Sequence, residues 1–142
     1  MLREGLVRRL VALFPGKVTV FNLVRDARPM LELDNGVRVA IRICTRRTTG
    51  RVRWRLYNGI SSHRGHVTLL CLLTATNDAF DKFYVVPRVE SVEGEQIITE
   101  HCSCLAAGLR LDDLQELYGA AQHCAHKTGY TGEQLRLAID AA

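Results

Sequence analysis

Acidic residues are missing from the whole stretch between Asn35 and Asn77, and lysine is scarce throughout: Lys17, Lys82 and Lys127 are the only lysines among 19 basic residues. No apolar run approaches the ~20 residues of a membrane-spanning helix, which excludes an integral helical membrane protein and gives no reason to expect a membrane partner. No apolar segment of the secretory kind is present. The glycine-rich phosphate loop, the GxSxG elbow, the dinucleotide fingerprint and HExxH are all absent, which removes the enzyme classes built on them. The five cysteines (Cys44, Cys71, Cys102, Cys104 and Cys124) are odd in number, and two of them fall inside apolar segments. That pattern argues against a disulfide framework, and reduced thiols in a cytoplasmic protein are expected.

What is present has ordinary globular proportions, with 47% hydrophobic and 24% charged residues in a chain of 142. That is enough for one domain burying about 70% of its unfolded surface. The net charge of +4 is modest but unevenly spread. The acid-free stretch carries Arg38, Arg42, Arg46, Arg47, Arg51, Arg53, Arg55 and Arg64, with His63 and His66. Acids return at Asp78 and Asp81 and continue through Glu90, Glu93, Glu95, Glu100, Asp112, Asp113 and Glu116. The basic signal therefore belongs to one region of the surface.

Periodicity gives the elements. Leu2, Leu6, Leu10, Leu13 and Phe14 recur at helical spacing, with Arg3, Glu4, Arg8 and Arg9 opposite, until Pro15-Gly16 stops the pattern. A transit sequence shares such a basic amphipathic pattern; a first helix packed on a sheet explains all of it and is the reading adopted. Lys17 to Leu23 and Met30 to Leu33 read as strands, and Asp34-Asn35-Gly36 as a hairpin turn. Val37 to Cys44 alternates, placing Val37, Val39, Ile41 and Ile43 on one face and Arg38, Ala40, Arg42 and Cys44 on the other. Arg51 to Tyr57 alternates again, with Val52, Trp54 and Leu56 opposite Arg51, Arg53, Arg55 and Tyr57. Val67 to Leu73 is apolar enough to be covered on both faces, and Phe83 to Pro87 is a strand ended by its proline. Leu114, Leu117, Tyr118, Ala121 and Ala125 make a helical stripe, opened by Asp112 or Asp113 with Gln115 or Glu116 as a capping box. A second helix is expected from Thr131. The expected fold class is α/β (α+β): a mixed sheet with an N-terminal helix and a C-terminal helical pair.

In its order of features, the run from Met30 to Pro87 resembles the PD-(D/E)XK restriction-endonuclease-like superfamily. A short strand, an Asn-Gly hairpin and the strand that should carry the acid-x-Lys motif are followed by Trp54-Arg55-Leu56. A buried apolar strand and Phe83-Tyr84-Val85-Val86-Pro87 complete the match. The resemblance implies a nuclease-like core over residues 1–100 and a helical extension over 101–142. In that family carboxylates hold Mg²⁺ and a lysine helps position the attacking water. Here Ala40 stands at the acid, Arg42 at the lysine and Pro29 near the preceding aspartate. Alanine and proline cannot ligate a metal, and arginine stays protonated at any working pH. None of the three lysines has an acid two residues before it. The resemblance thus implies a domain without the catalytic set and without a cofactor. The alternative is an active Mg²⁺-dependent endonuclease with displaced carboxylates, drawn from Glu32, Asp34, Asp26 and Glu4.

With hydrolysis gone, a cationic surface remains. Arg38 and Arg42 on one strand, and Arg51, Arg53 and Arg55 on its expected neighbour, are read as one face with Arg46, Arg47, Arg64 and Tyr57. Such a face suits the phosphates of DNA or RNA, which supply affinity without sequence information. The alternatives are a solvated strand face, pairing with the acid-rich half, or docking to a protein partner or a second copy in a homodimer. Cys102, Cys104, His123 and His126 also offer zinc-type ligands. The C-x-C spacing and the apolar stripe around Cys124 favour ordinary buried thiols instead.

Overall fold

A computed structural model describes residues 2–21, 30–56, 66–87, 96–100, 102–106 and 108–126. Helix α1 (Leu2–Leu13) follows the leucine periodicity and buries Leu6 and Leu10. It gives way to a turn in which the Lys17 N–H donates to the Phe14 carbonyl at 3.1 Å. Gly16 occupies that turn at φ +74°, a conformation that glycine after proline adopts at little cost.

Strands β1 (Val18–Phe21), β2 (Met30–Leu33) and β3 (Arg38–Arg46) form an antiparallel meander. The Asp34-Asn35-Gly36 turn behaves as its sequence predicts. Gly36, at φ +88°, donates to the Leu33 carbonyl at 2.9 Å, and the Asn35 side chain accepts the Val37 N–H at 3.1 Å. Next come β4 (Arg53–Leu56), β5 (Val67–Leu73), β6 (Phe80–Pro87) and β7 (Gln96–Thr99). They are followed by a short helix α2 (Ser103–Ala106), β8 (Leu109–Leu111), a 3₁₀ turn (Leu114–Glu116) and α3 (Leu117–His126).

The eight strands among the described residues form a mixed sheet whose main path runs β1-β2-β3-β5-β6-β8. Only the β3–β5 step is parallel; the other pairings are antiparallel. Strand β3 serves two neighbours along one edge. Its first half pairs with β2, while Thr45 and Arg46 pair with Arg55 and Trp54 of β4, which continues to β7.

Two cores result, one on each side of the sheet. Leu31, Val39, Ile41, Val67, Leu69 and Val85 pack against Leu6 and Leu10 of α1 and Leu117, Ala121 and Cys124 of α3. On the other side, Cys44, Leu70, Leu72 and Val86 pack against Trp54, Leu56, Ile98 and Leu105, from β4, β7 and α2. Every residue of β5 is buried, as its unbroken apolar sequence predicts for a strand covered on both faces.

The mixed sheet, the N-terminal helix and one C-terminal helix are as expected. Asp113 caps the 3₁₀ turn by accepting the Gln115 N–H at 2.9 Å, and Glu116 reaches back to the Asp112 N–H at 3.0 Å. The helix expected from Thr131 lies outside the described residues. The stretch beyond residue 100, read from sequence as a helical extension, also supplies β8 to the sheet edge. Strands β7 and β8 and helix α2 were not anticipated.

Candidate nucleic-acid interface

The arginines expected to form one face divide into two groups. Arg38 and Arg42 share a side of β3 with Ala40 and Cys44, and that side is enclosed. Arg42 is 3% exposed and Ala40 is also buried; in the register, Ala40 lies between Met30 and Thr68, and Arg42 beside Leu70. Arg42 therefore does not present a solvated guanidinium, a correction to its place in the expected surface. Arg38 is committed to a neighbour: its Nε lies 3.3 Å from Glu32 Oε2 across the β2–β3 pair, in a partly buried ion pair. Its backbone N–H donates to His66 Nδ1 at 2.8 Å, and the His66 N–H donates to the Arg38 carbonyl at 2.9 Å. His66, which falls in the acid-free basic stretch, is buried and holds the start of β5 on β3.

The second group sits on the hairpin joining β3 to β4. Arg46 is the last residue of β3, and the Arg47 N–H donates to the Arg53 carbonyl at 3.0 Å, closing the hairpin. Thr48 to Val52 are all exposed, with Gly50 at φ +81°. Arg46, Arg47, Arg51 and Arg53 thus lie on one short ribbon. Among the described residues no carboxylate forms an ion pair with any of these four. Arg55 follows in β4, half-buried and facing Thr45 and Ile97 in the register.

Trp54 fixes this ribbon. It is 0% exposed and packs into the second core, while its Nε1–H donates to the Leu73 carbonyl at 2.8 Å. The Arg46 guanidinium carbon lies 5.5 Å from the centre of the indole and Lys82 Nζ lies 5.8 Å from it, within cation–π range. Lys82 also pairs with Glu100 at 3.3 Å. Sequence reasoning missed Lys82, which carries no local signal; it reaches Trp54 through the β5–β6 pairing. Asn77 was missed too. From the turn between β5 and β6 its Oδ1 accepts the Arg46 N–H at 2.6 Å and its Nδ2 donates to the Arg46 carbonyl at 3.0 Å.

Of the carboxylates considered for a displaced metal site, the three that are described each engage a different partner. Glu32 pairs with Arg38 and Glu4 with Arg8 on the surface of α1. Asp34 accepts a hydrogen bond from the Tyr118 hydroxyl, which ties the β2–β3 turn to α3. That bond raises the Tyr118 phenol above its ordinary pKa, because Asp34 favours the protonated form. Among the described residues no group of three or more His, Cys, Asp or Glu side chains is placed to hold a metal ion.

Of the zinc-type ligands, Cys102 packs against the second core and His123 is exposed. Cys124 is buried and directs its thiol at the Val85 carbonyl at 3.5 Å. The side chains of Cys104 and His126 lie outside those described, as do Asp26, Pro29, Tyr57, His63 and Arg64. Cys44, Cys71 and Cys124 are buried, and burial pushes the Cys71 thiol well up, leaving it a packing residue. No described helix is long and apolar enough to cross a membrane. No family model, curated protein or solved structure matches the chain.

Proposed function

We propose that this domain binds nucleic acid, DNA or RNA, through the β3–β4 arginine hairpin, and that it is a restriction-endonuclease-like domain without catalytic activity. The observation that carries the reading is the hairpin itself: Arg46, Arg47, Arg51 and Arg53 within one ribbon, with no ion-paired carboxylate among the described residues. Like charges at that density repel one another, and a polyanion relieves the repulsion. Arginine offers phosphate a planar fork of donors, and contacts of this kind give affinity without reading bases.

The nuclease-like part of the proposal draws support from the sheet. Of the five strands on which the resemblance rests, β2, β3, β5 and β6 are successive neighbours, while β4 lies off that path and pairs with the end of β3. Loss of catalysis is supported by buried Ala40 and Arg42 at the acid and lysine positions. The separate engagements of Glu32, Asp34 and Glu4 argue in the same direction. Fluorescence-anisotropy titration of labelled duplex and single-stranded oligonucleotides at low salt tests the reading. Binding that is indifferent to base sequence is the expected result. Absence of binding at low salt overturns it and reassigns the hairpin to an acidic protein surface.

A further inference from the structure

We infer that Asn77 is a positioning residue for the arginine hairpin, ordering it from the β5–β6 turn for contact with its polyanion; this rests on the nucleic-acid reading above. A ribbon of like charges has every reason to fray. Its regular pairing is short, comprising Thr45 with Arg55, Arg46 with Trp54, and the Arg47 to Arg53 bond that closes it. The end of β5 and the β5–β6 turn together hold both of its strands from outside. On β4, the Leu73 carbonyl accepts the Trp54 indole N–H. On β3, the Asn77 amide takes both backbone groups of Arg46, accepting its N–H at 2.6 Å and donating to its carbonyl at 3.0 Å. The partners are 31 residues apart in sequence, so the contact is tertiary and not part of a local turn.

The turn is built to hold that amide in place. Asn77 sits at φ +58°, the only non-glycine residue with positive φ among the described residues, and asparagine tolerates this region better than most side chains do. Its own N–H donates to the Thr74 carbonyl at 3.0 Å, and the Thr74 N–H donates to the Ala79 carbonyl at 3.0 Å. Next to it the Asp78 carboxylate accepts from both the Thr74 and Thr76 hydroxyls. These bonds, Thr76 first, hold the Asp78 carboxyl below its ordinary pKa. A pre-ordered ribbon loses less conformational freedom when it binds, and this is how a residue that touches no ligand raises affinity.

The test uses the full chain with Asn77→Gly, which keeps the positive φ at no cost and deletes both amide bonds, and with Asn77→Asp, which keeps the acceptor alone. Amide hydrogen exchange and oligonucleotide anisotropy are measured on each. For Asn77→Gly, exchange at residues 46–53 should rise on the order of tenfold or more, as expected for two lost hydrogen bonds. Exchange at 38–44 and 67–73 should stay as in the wild type. Oligonucleotide affinity should fall about tenfold at an unchanged salt slope, because the phosphate contacts remain while their ordering is lost. Asn77→Asp should show intermediate exchange. Exchange that rises equally across β3 and β5 marks a general fold staple and overturns the inference, as does unchanged exchange in the hairpin. Wild type that binds, with Asn77→Gly binding equally well, overturns the inference alone. Wild type that binds no oligonucleotide overturns the nucleic-acid reading, and the ordering role for binding falls with it.

Discussion

Replacing Trp54 with phenylalanine keeps an aromatic ring in a site of 0% exposure but removes the indole N–H and part of the ring system. Three losses follow. The Leu73 carbonyl, which accepts that N–H at 2.8 Å, is left without its donor in an enclosed site, costing about 1–3 kcal/mol. The vacated ring atoms leave a small void worth about 1 kcal/mol. The Arg46 and Lys82 cations, 5.5 and 5.8 Å from the indole centre, face a weaker π surface, a further ~0.5 kcal/mol. Together these come to about 3 kcal/mol, a large part of the ~5–15 kcal/mol that stabilises a typical domain, and a drop of about 10 °C in Tm. Urea unfolding followed by far-UV circular dichroism measures it, since the substitution removes the chain's only tryptophan. A loss below about 1 kcal/mol would refute the reasoning, because neither the hydrogen bond nor the packing of the indole would then be holding the hairpin on the sheet.

Gly108→Ala should destabilise by about 1–3 kcal/mol in a thermal melt, because a Cβ there would lie 2.4 Å from the Val85 carbonyl oxygen and 2.6 Å from Val86 Cγ1; an unchanged Tm contradicts the close approach of β8 to β6. Tyr118 should titrate above its ordinary range, followed by phenolate absorbance, and Asp34→Ala should bring it back down. A raised folded-state pKa stabilises the protein below the unfolded value, so this contribution is lost as pH rises through the Tyr118 pKa. Under the proposed nuclease-like reading, in which Ala40 and Arg42 stand at the positions of the acid and the lysine, supercoiled plasmid incubated with Mg²⁺ or Mn²⁺ should stay uncut; cutting that disappears with Glu32→Ala would establish the displaced-carboxylate alternative.

Strong periodic segments were legible from sequence. The leucine stripe of α1, the alternation of β3 and the unbroken apolar β5 each identify an element, because one period fits one geometry. The same rule placed Trp54 in the core. What alternation cannot give is whether the second face of a strand meets water or another layer. Arg38 and Arg42 alternate like solvent-facing residues, yet β4, β7 and α2 cover that side of the sheet, and of these only β4 was anticipated. Gln96–Thr99 and Leu109–Leu111 are too short for a periodic signal and take their conformation from β4 and β6, which they pair with. Lys82, Asn77 and Leu73 were illegible as hairpin supports because their partners lie on other strands, reached only once the sheet is assembled.

The salt dependence of oligonucleotide binding tests the central claim most directly. If Arg46, Arg47, Arg51 and Arg53 each neutralise one duplex phosphate, log affinity should fall against log salt with a slope of about −3.6. Between ~50 and ~200 mM salt that is a loss of about a hundredfold. Changing all four arginines to alanine should flatten the slope towards zero, whatever the base sequence. Binding of the wild type with a slope that the four substitutions leave unaltered, or no binding even at the lowest salt, would contradict the account.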